Sequence, residues 1–229
     1  DYGTAVAGTV SGTSITFGTP VVYSSINTNQ NQATFDSNAN KVAIFYYKNN
    51  VDTTHGIVAT TSSSDNSISF GSSTQFDGTS AGRMNCTFDS SNNKCVVAYS
   101  KYTPGGSPER SGRAIVGTIS GTSISFGSTV DFKTESLASC AITFDSNSNK
   151  VVVFFSVESN NSKFEGIVGT VSGTSISFGS SVEIDGSVRG EGIGCTFDSN
   201  SNKVVAAFID ASAGNKGKAA VGTVSGTSI

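Results

Sequence analysis

GTVSGTSISFGS, residues 169–180, recurs almost verbatim at 117–128 (GTISGTSISFGS) and at 8–19 (GTVSGTSITFGT). A degraded copy ends at 67–72, and a truncated one, GTVSGTSI, occupies 222–229. A second phrase alternates with it: TFDSNANKVAIFYY from Thr34, TFDSSNNKCVVAY from Thr87, TFDSNSNKVVVFF from Thr143 and TFDSNSNKVVAAF from Thr196. Phe35, Phe88, Phe144 and Phe197 are spaced 53, 56 and 53 residues apart, and Phe17, Phe70, Phe126 and Phe178 are spaced 53, 56 and 52. A fixed period in this range marks a repeat architecture, in which each unit buries its apolar face against the next. Gly8 and Gly222 lie four periods apart, so the 229 residues hold four repeats plus a 15-residue overlap. They read as a single domain, 1–229.

Within one repeat the pattern is that of short strands. In the third copy, apolar 140–144 leads into the turn 145–149, followed by the unbroken β-branched and aromatic run 151–155. Next come 166–171, a short turn at 172–174, and 175–178 continuing to 184. The glycine of V-S-G-T-S-I supplies the positive φ that tight hairpins require. The Asx residues of D-S-N-S-N bond nearby amides and tolerate left-handed backbone. No segment has the 3.6-residue spacing of an amphipathic helix. Runs such as 151–155 and 42–47 lack alternation, so both of their faces must be buried, and sheets stacked on sheets achieve that. The expected fold is therefore all-β, a propeller of four four-stranded antiparallel blades. A solenoid usually has shorter repeats, and a two-sheet sandwich would not explain copies this similar.

The strand, turn, apolar strand and S-G-T-S-I-S-F-G-S hairpin together resemble the blades of sialidase-type (BNR, or Asp-box) propellers, whose last hairpin carries S-x-D-x-G-x-x-W. Here 172–178 keeps the rhythm, without the aspartate and with Phe178 in place of the Trp. The GTVSGTSISFG phrase is also similar to repeat proteins of marine phages and bacteria. The resemblance covers essentially the whole chain. It implies that CTFDS is the innermost strand and SISFGSSVEI the outermost. The chain would then begin midway through one blade and end midway through the same blade, so that the termini close a ring. Closure leaves one problem, since 7–15 and 221–229 supply one strand twice. One copy frays, or it pairs with a neighbouring molecule, or the chain is a slice of a longer array. Asp1 in place of an initiator Met points to a processed or excised chain. Pairing is preferred over fraying, because it satisfies an exposed sheet edge. Val221, Gly222, Thr223 and Val224 are the expected inter-subunit strand, giving head-to-tail strand exchange.

Composition excludes several functions. Charged residues are 14% and the net charge is −3, with no basic cluster to hold nucleic acid. No apolar run reaches the length of a membrane-spanning helix. Cys86, Cys95, Cys140 and Cys195 match no zinc or CxxC spacing, and His55 is the one histidine. Cys86 and Cys195 share a repeat position with Ala33 and Ile142, the behaviour of a small buried hydrophobe. A Cys86–Cys95 bridge is open on spacing alone. The turns at Asp36, Asp89, Asp145 and Asp198 offer alternating oxygens, as calcium favours, but one carboxylate each and no distal Glu, so they read as hairpin turns. No metal or cofactor is expected.

Lys41, Lys94, Lys150 and Lys203 follow those turns at one fixed position. They would form a ring on one face, and read either as strand-end lysines that discourage edge pairing or as a ring of cations for an anion or acidic glycan, with Arg83 and Arg189 as further contacts. No catalytic residue is expected. The arginines (Arg83, Arg110, Arg113, Arg189) read as loop residues at non-equivalent repeat positions, unlike the arginine cluster that the sialidase resemblance would require. The glutamates (Glu158, Glu165, Glu183, Glu191) show no shared placement for the paired carboxylates of glycoside hydrolysis, and His55 reads as an exposed loop residue. Asn85 and Asn160 fit glycosylation acceptors if a eukaryote secretes the chain. The expectation is a non-enzymatic structural or display module, extracellular, on a cell surface or on a virion, partnered by itself or by surface glycans. A glycan-binding propeller is the alternative, and a degenerate glycoside hydrolase a more distant one.

Overall fold

A computed structural model describes residues 1–103, 105, 110–158, 163–186 and 192–229. Its described residues form 21 strands and no helix. The chain opens with β1 (Tyr2–Ala5) and the hairpin β2 (Gly8–Ser11) and β3 (Ser14–Phe17). The long β4 (Val21–Asp36) pairs through its first half with β1 and through its second with β5 (Lys41–Lys48), which pairs with β6 (Thr53–Thr61). β7 (Ile68–Phe70) and β8 (Thr74–Asp77) both pair with β6 and complete the first sheet. The second sheet runs β9 (Ala81–Asp89), β10 (Lys94–Tyr102), β11 (Arg110–Ser120), then β12 (Ser123–Phe126) and β13 (Val130–Lys133) side by side on β11. The third repeats it with β14 (Leu137–Asp145), β15 (Lys150–Val157), β16 (Phe164–Ser172), β17 (Ser175–Phe178) and β18 (Val182–Asp185). The fourth has three strands, β19 (Gly194–Asp198), β20 (Lys203–Asp210) and β21 (Lys216–Gly222). The inner strands β4, β9, β14 and β19 adjoin in that order, so the sheets stand in a row.

The turns follow the local chemistry read from the sequence. Asp36, Asp89, Asp145 and Asp198 each accept the backbone amides two and three residues ahead. The Asn closing each turn, Asn40, Asn93, Asn149 and Asn202, is left-handed at φ 52–55°, a conformation Asn tolerates. The Asx turn thus already engages the carboxylate on which a calcium reading would draw.

The unbroken runs bury both faces. Val151, Val153 and Phe155 meet Val96 and Ala98 of the second sheet, whereas Val152 and Phe154 meet Val204, Ala206 and Phe208 of the fourth. Each such side chain contributes roughly 1.5–3 kcal/mol of transfer free energy. Every sheet therefore has an upstream face, toward the N-terminal neighbour, and a downstream face.

Two expectations need correction. The fourth strand is not continuous: it breaks after Phe70, Phe126 and Phe178 into two short segments. Nor do the termini share one sheet. β1 pairs with β4 and β21 with β20, and among the described residues no strand pairing joins the two ends. Each terminal copy finds a partner next to it in the chain. Residues 21–24 align with β8, β13 and β18, and they hold β1 as those strands hold β6, β11 and β16. The N-terminal copy thus builds half a sheet upstream of the first, while the C-terminal copy serves the fourth.

Candidate functional site

The sequence-predicted lysines form a row, but each stands opposite an acid. Asp36↔Lys41, Asp89↔Lys94, Asp145↔Lys150 and Asp198↔Lys203 are direct cross-strand pairs, so the row is accompanied by an equal row of carboxylates. Lys150 Nζ donates to Thr170 Oγ1 at 2.8 Å and Lys203 Nζ to Thr223 Oγ1 at 2.6 Å. Arg83 lies elsewhere, half-buried at a β-bulge of β9 with φ 49°, and its carbonyl accepts the Cys140 thiol. Arg189 and Asn160 fall outside the described residues. Asn85 lies within β9, opposite Ala98.

The proposed inter-subunit strand is engaged within its own sheet. Val221 and Gly222 end β21, hydrogen-bonded to β20, and Val224 packs into the core between the third and fourth sheets. Among the described residues no further strand pairs with β21, a Ser225–Ser228 bridge follows it, and the Val221 side chain is exposed.

His55 is not a loop residue. It sits in β6, buried, stacked on Tyr46, with Nδ1 3.0 Å from Ser73 Oγ and Nε2 2.9 Å from Thr53 Oγ1. Burial, and secondarily the Lys48 cation, lower its pKa from 6.5 to about 4. Between those values the unfolded chain binds a proton that the folded chain refuses, so stability falls as pH drops from about 6.5 toward 4. The expected result is a melting temperature that declines over this interval in the wild type and a smaller decline in His55→Gln, read by circular dichroism. All four cysteines are free thiols, with no Cys86–Cys95 bridge. Burial raises every one of them, Cys86, Cys140 and Cys195 to about 12, which leaves them unreactive.

The structure also assembles charges whose pairing the sequence reading missed. One ion pair crosses each interface between the four sheets, from the last residue of β8, β13 or β18 to the first half of β11, β16 or β21. Asp77 of the first sheet meets Arg113 of the second at 3.1 Å, Lys133 of the second meets Glu165 of the third at 2.8 Å, and Asp185 of the third meets Lys218 of the fourth at 2.8 Å. The sign alternates: the second sheet is positive on both faces and the third negative on both. Asp77 also accepts Tyr99 Oη at 2.6 Å, and burial followed by the Asp77 charge pushes that phenol up. Burial is the largest influence on the Glu165 carboxyl and would raise it, but the hydrogen bonds from Lys133 and Ser181 and the Lys133 and Lys163 charges together outweigh it and hold the carboxyl below its ordinary value. Hydrogen bonds to Asp185 and Asp210 push Lys218 up to about 12. The signal lay in the repeats: His55, Arg113, Glu165 and Lys218 are equivalent positions, as are Ser24, Asp77, Lys133 and Asp185, and their signs compensate.

The apolar surface is concentrated at the two ends of the row. At the N-terminal end Val10, Ile15, Phe17 and Phe35 are exposed on the upstream face, Ile15 at 51% although its equivalents Ile124 and Ile176 are 3% and 4%. At the C-terminal end Val221 is 68% exposed on the downstream face, where Val58, Val116 and Val168 are 0%. A polar cleft of about 360 Å³ opens beside the first hairpin, lined by Thr9, Asn40, Ser63 and Asn66 among others.

No family model matches the chain, and no curated protein matches it. Among solved structures it is similar to a protein from Lactobacillus plantarum, a structural-genomics target, at 11% identity and a TM-score of 0.44. The likeness covers 99% of this chain and 68% of that one. It is too slight to assign a family.

Proposed function

We propose that the chain is a non-enzymatic structural or display module of an extracellular, cell-surface or virion-associated assembly. In this reading its sheets are propeller-type blades fanned from the inner strands β4, β9, β14 and β19. The 53-residue period and the adjoining inner strands support the blades. The observation that carries the function is where the side chains are committed. Carboxylates are engaged in Asx turns and in ion pairs between sheets, whereas the open surface is apolar sheet face at either end. Exposed apolar area of this kind marks a contact with another macromolecule.

The polar cleft beside the first hairpin favours a second reading, glycan binding, since hydroxyl and amide groups line it. A glycan array separates the two. The structural reading expects no binding that soluble sugar competes away. Competable binding weakened by Asn66→Ala overturns it.

A further inference from the structure

We propose that the two end faces of this chain bind each other in trans, so that copies stack head to tail; the inference rests on the structural-module reading above. The occupant of each exposed face is a second copy of this chain. Three internal interfaces supply the argument, because each places the downstream face of one sheet on the upstream face of the next, with the same repeat positions in contact. On the upstream side these are the equivalents of Val10, Ile15 and Phe17, filled inside the row by Val171, Ile176 and Phe178 of the third sheet. On the downstream side they are the equivalents of Val205, Ala207 and Val221, filled by Val152, Phe154 and Val168 of that same sheet. The molecule therefore exposes one upstream face and one downstream face, the two halves of a contact it already makes internally. Neither end is a free copy of its own partner, so the contact is heterologous and extends instead of closing on itself.

This differs from strand exchange, for which β21 would have to leave β20. Face stacking leaves every backbone hydrogen bond in place. At the ion-pair position the N-terminal end presents the neutral Thr4, and the contact between the half-sheet and the first sheet already forms with the neutral Ser24 and His55 at the corresponding sites.

The test uses the full chain and two single variants, Val10→Lys and Val221→Lys. Both sites are solvent-exposed, at 70% and 68%, so the fold tolerates the change, and circular dichroism confirms it. Sedimentation velocity from about 1 μM to about 1 mM spans the affinities of weak to moderate association. The wild type is expected to grow beyond a dimer with concentration, and each variant alone to remain monomeric. An equimolar mixture of the two is expected to form dimers and nothing larger, because only one intact pair of faces remains. A wild type monomeric throughout, as intramolecular closure of the row would give, overturns the proposal. So does a variant that self-associates like the wild type, or a mixture that stays monomeric. Failure here leaves the structural-module reading standing, since that reading falls only to competable glycan binding, which is measured on monomers as well as on oligomers.

Discussion

Replacing Glu165 by lysine is expected to cost about 3–5 kcal/mol of unfolding free energy, the range for breaking a buried pair and leaving its partner uncompensated. The Glu165 side chain is 8% exposed and Lys133 is 15%, so water screens little of the new repulsion. Lys133 Nζ now donates to both Glu165 oxygens, at 3.1 and 2.8 Å. In the variant two ammonium groups face each other between the second and third sheets. Adding Lys133→Glu restores an ion pair of reversed sign and should recover most of the loss. Recovery stays incomplete because Glu135, which lies 2.8 Å from Lys133 today, would then face a like charge. Glu183→Lys serves as the control. It disrupts the exposed Lys163–Glu183 pair, whose two side chains are 44% and 46% exposed, and surface pairs contribute only about 0–1 kcal/mol. Urea unfolding of the four proteins decides the matter. Equal losses for the two single variants would show that the inter-sheet pairs carry no special weight.

The alternation of these pairs gives near-identical repeats a way to stay in order. Exchanging the second and third sheets would set Asp77 beside Glu165 and Lys133 beside Lys218, and the apolar contacts alone would not forbid that exchange. Charge compensation of this sort was present in the sequence but not legible as a pattern. A search for repeated residues passes over Arg113, Glu165 and Lys218, because what repeats there is the position and what changes is the sign. The turns were legible for the opposite reason. Asp145 and Asn149 act on the backbone within five residues, so local chemistry decides them. The same holds for the unbroken run at 151–155, whose composition admits no solvated face. Closure of the ends was not legible, because 7–15 and 221–229 are nearly the same words. Identical strands have identical propensities, and only their neighbours in space decide which edge each one takes. His55 was misplaced for want of context: it lies in a polar, Thr-rich stretch, and the Tyr46 ring and the Ser73 hydroxyl that bury it come from elsewhere in the sheet.

Gly127→Ala is the second large effect expected, a loss of about 3 kcal/mol, at the upper end of what overpacking normally costs. The glycine that ends S-F-G is not in the left-handed region, unlike Gly121 and Gly173 in the preceding turns, so its requirement is steric. A methyl group at Gly127 would overlap the backbone carbonyl oxygen of Thr174 in the next hairpin. Gly71 meets Thr122 in the same way, Gly18 meets Asn66, and Gly179 meets Thr227. The obstacle is main chain, so no rotamer change relieves it. Retreat is also blocked from behind, because Gly127 N–H donates to the Val116 carbonyl at 3.0 Å, as Gly71 does to Val58 and Gly179 to Val168. Held between its own sheet and the next, the residue sets the spacing of the stack at its outer rim. Two comparisons make the claim testable by urea unfolding. Gly217→Ala, with open space and no left-handed φ, should be neutral or slightly stabilising, since alanine restricts the unfolded chain. Gly18→Ala should cost less than Gly127→Ala, because the exposed β2–β3 hairpin can shift outward, whereas the β11–β12 hairpin is fixed between two neighbours. Equal losses at Gly18 and Gly127 would mean that the hairpin stack is no tighter inside the row than at its end.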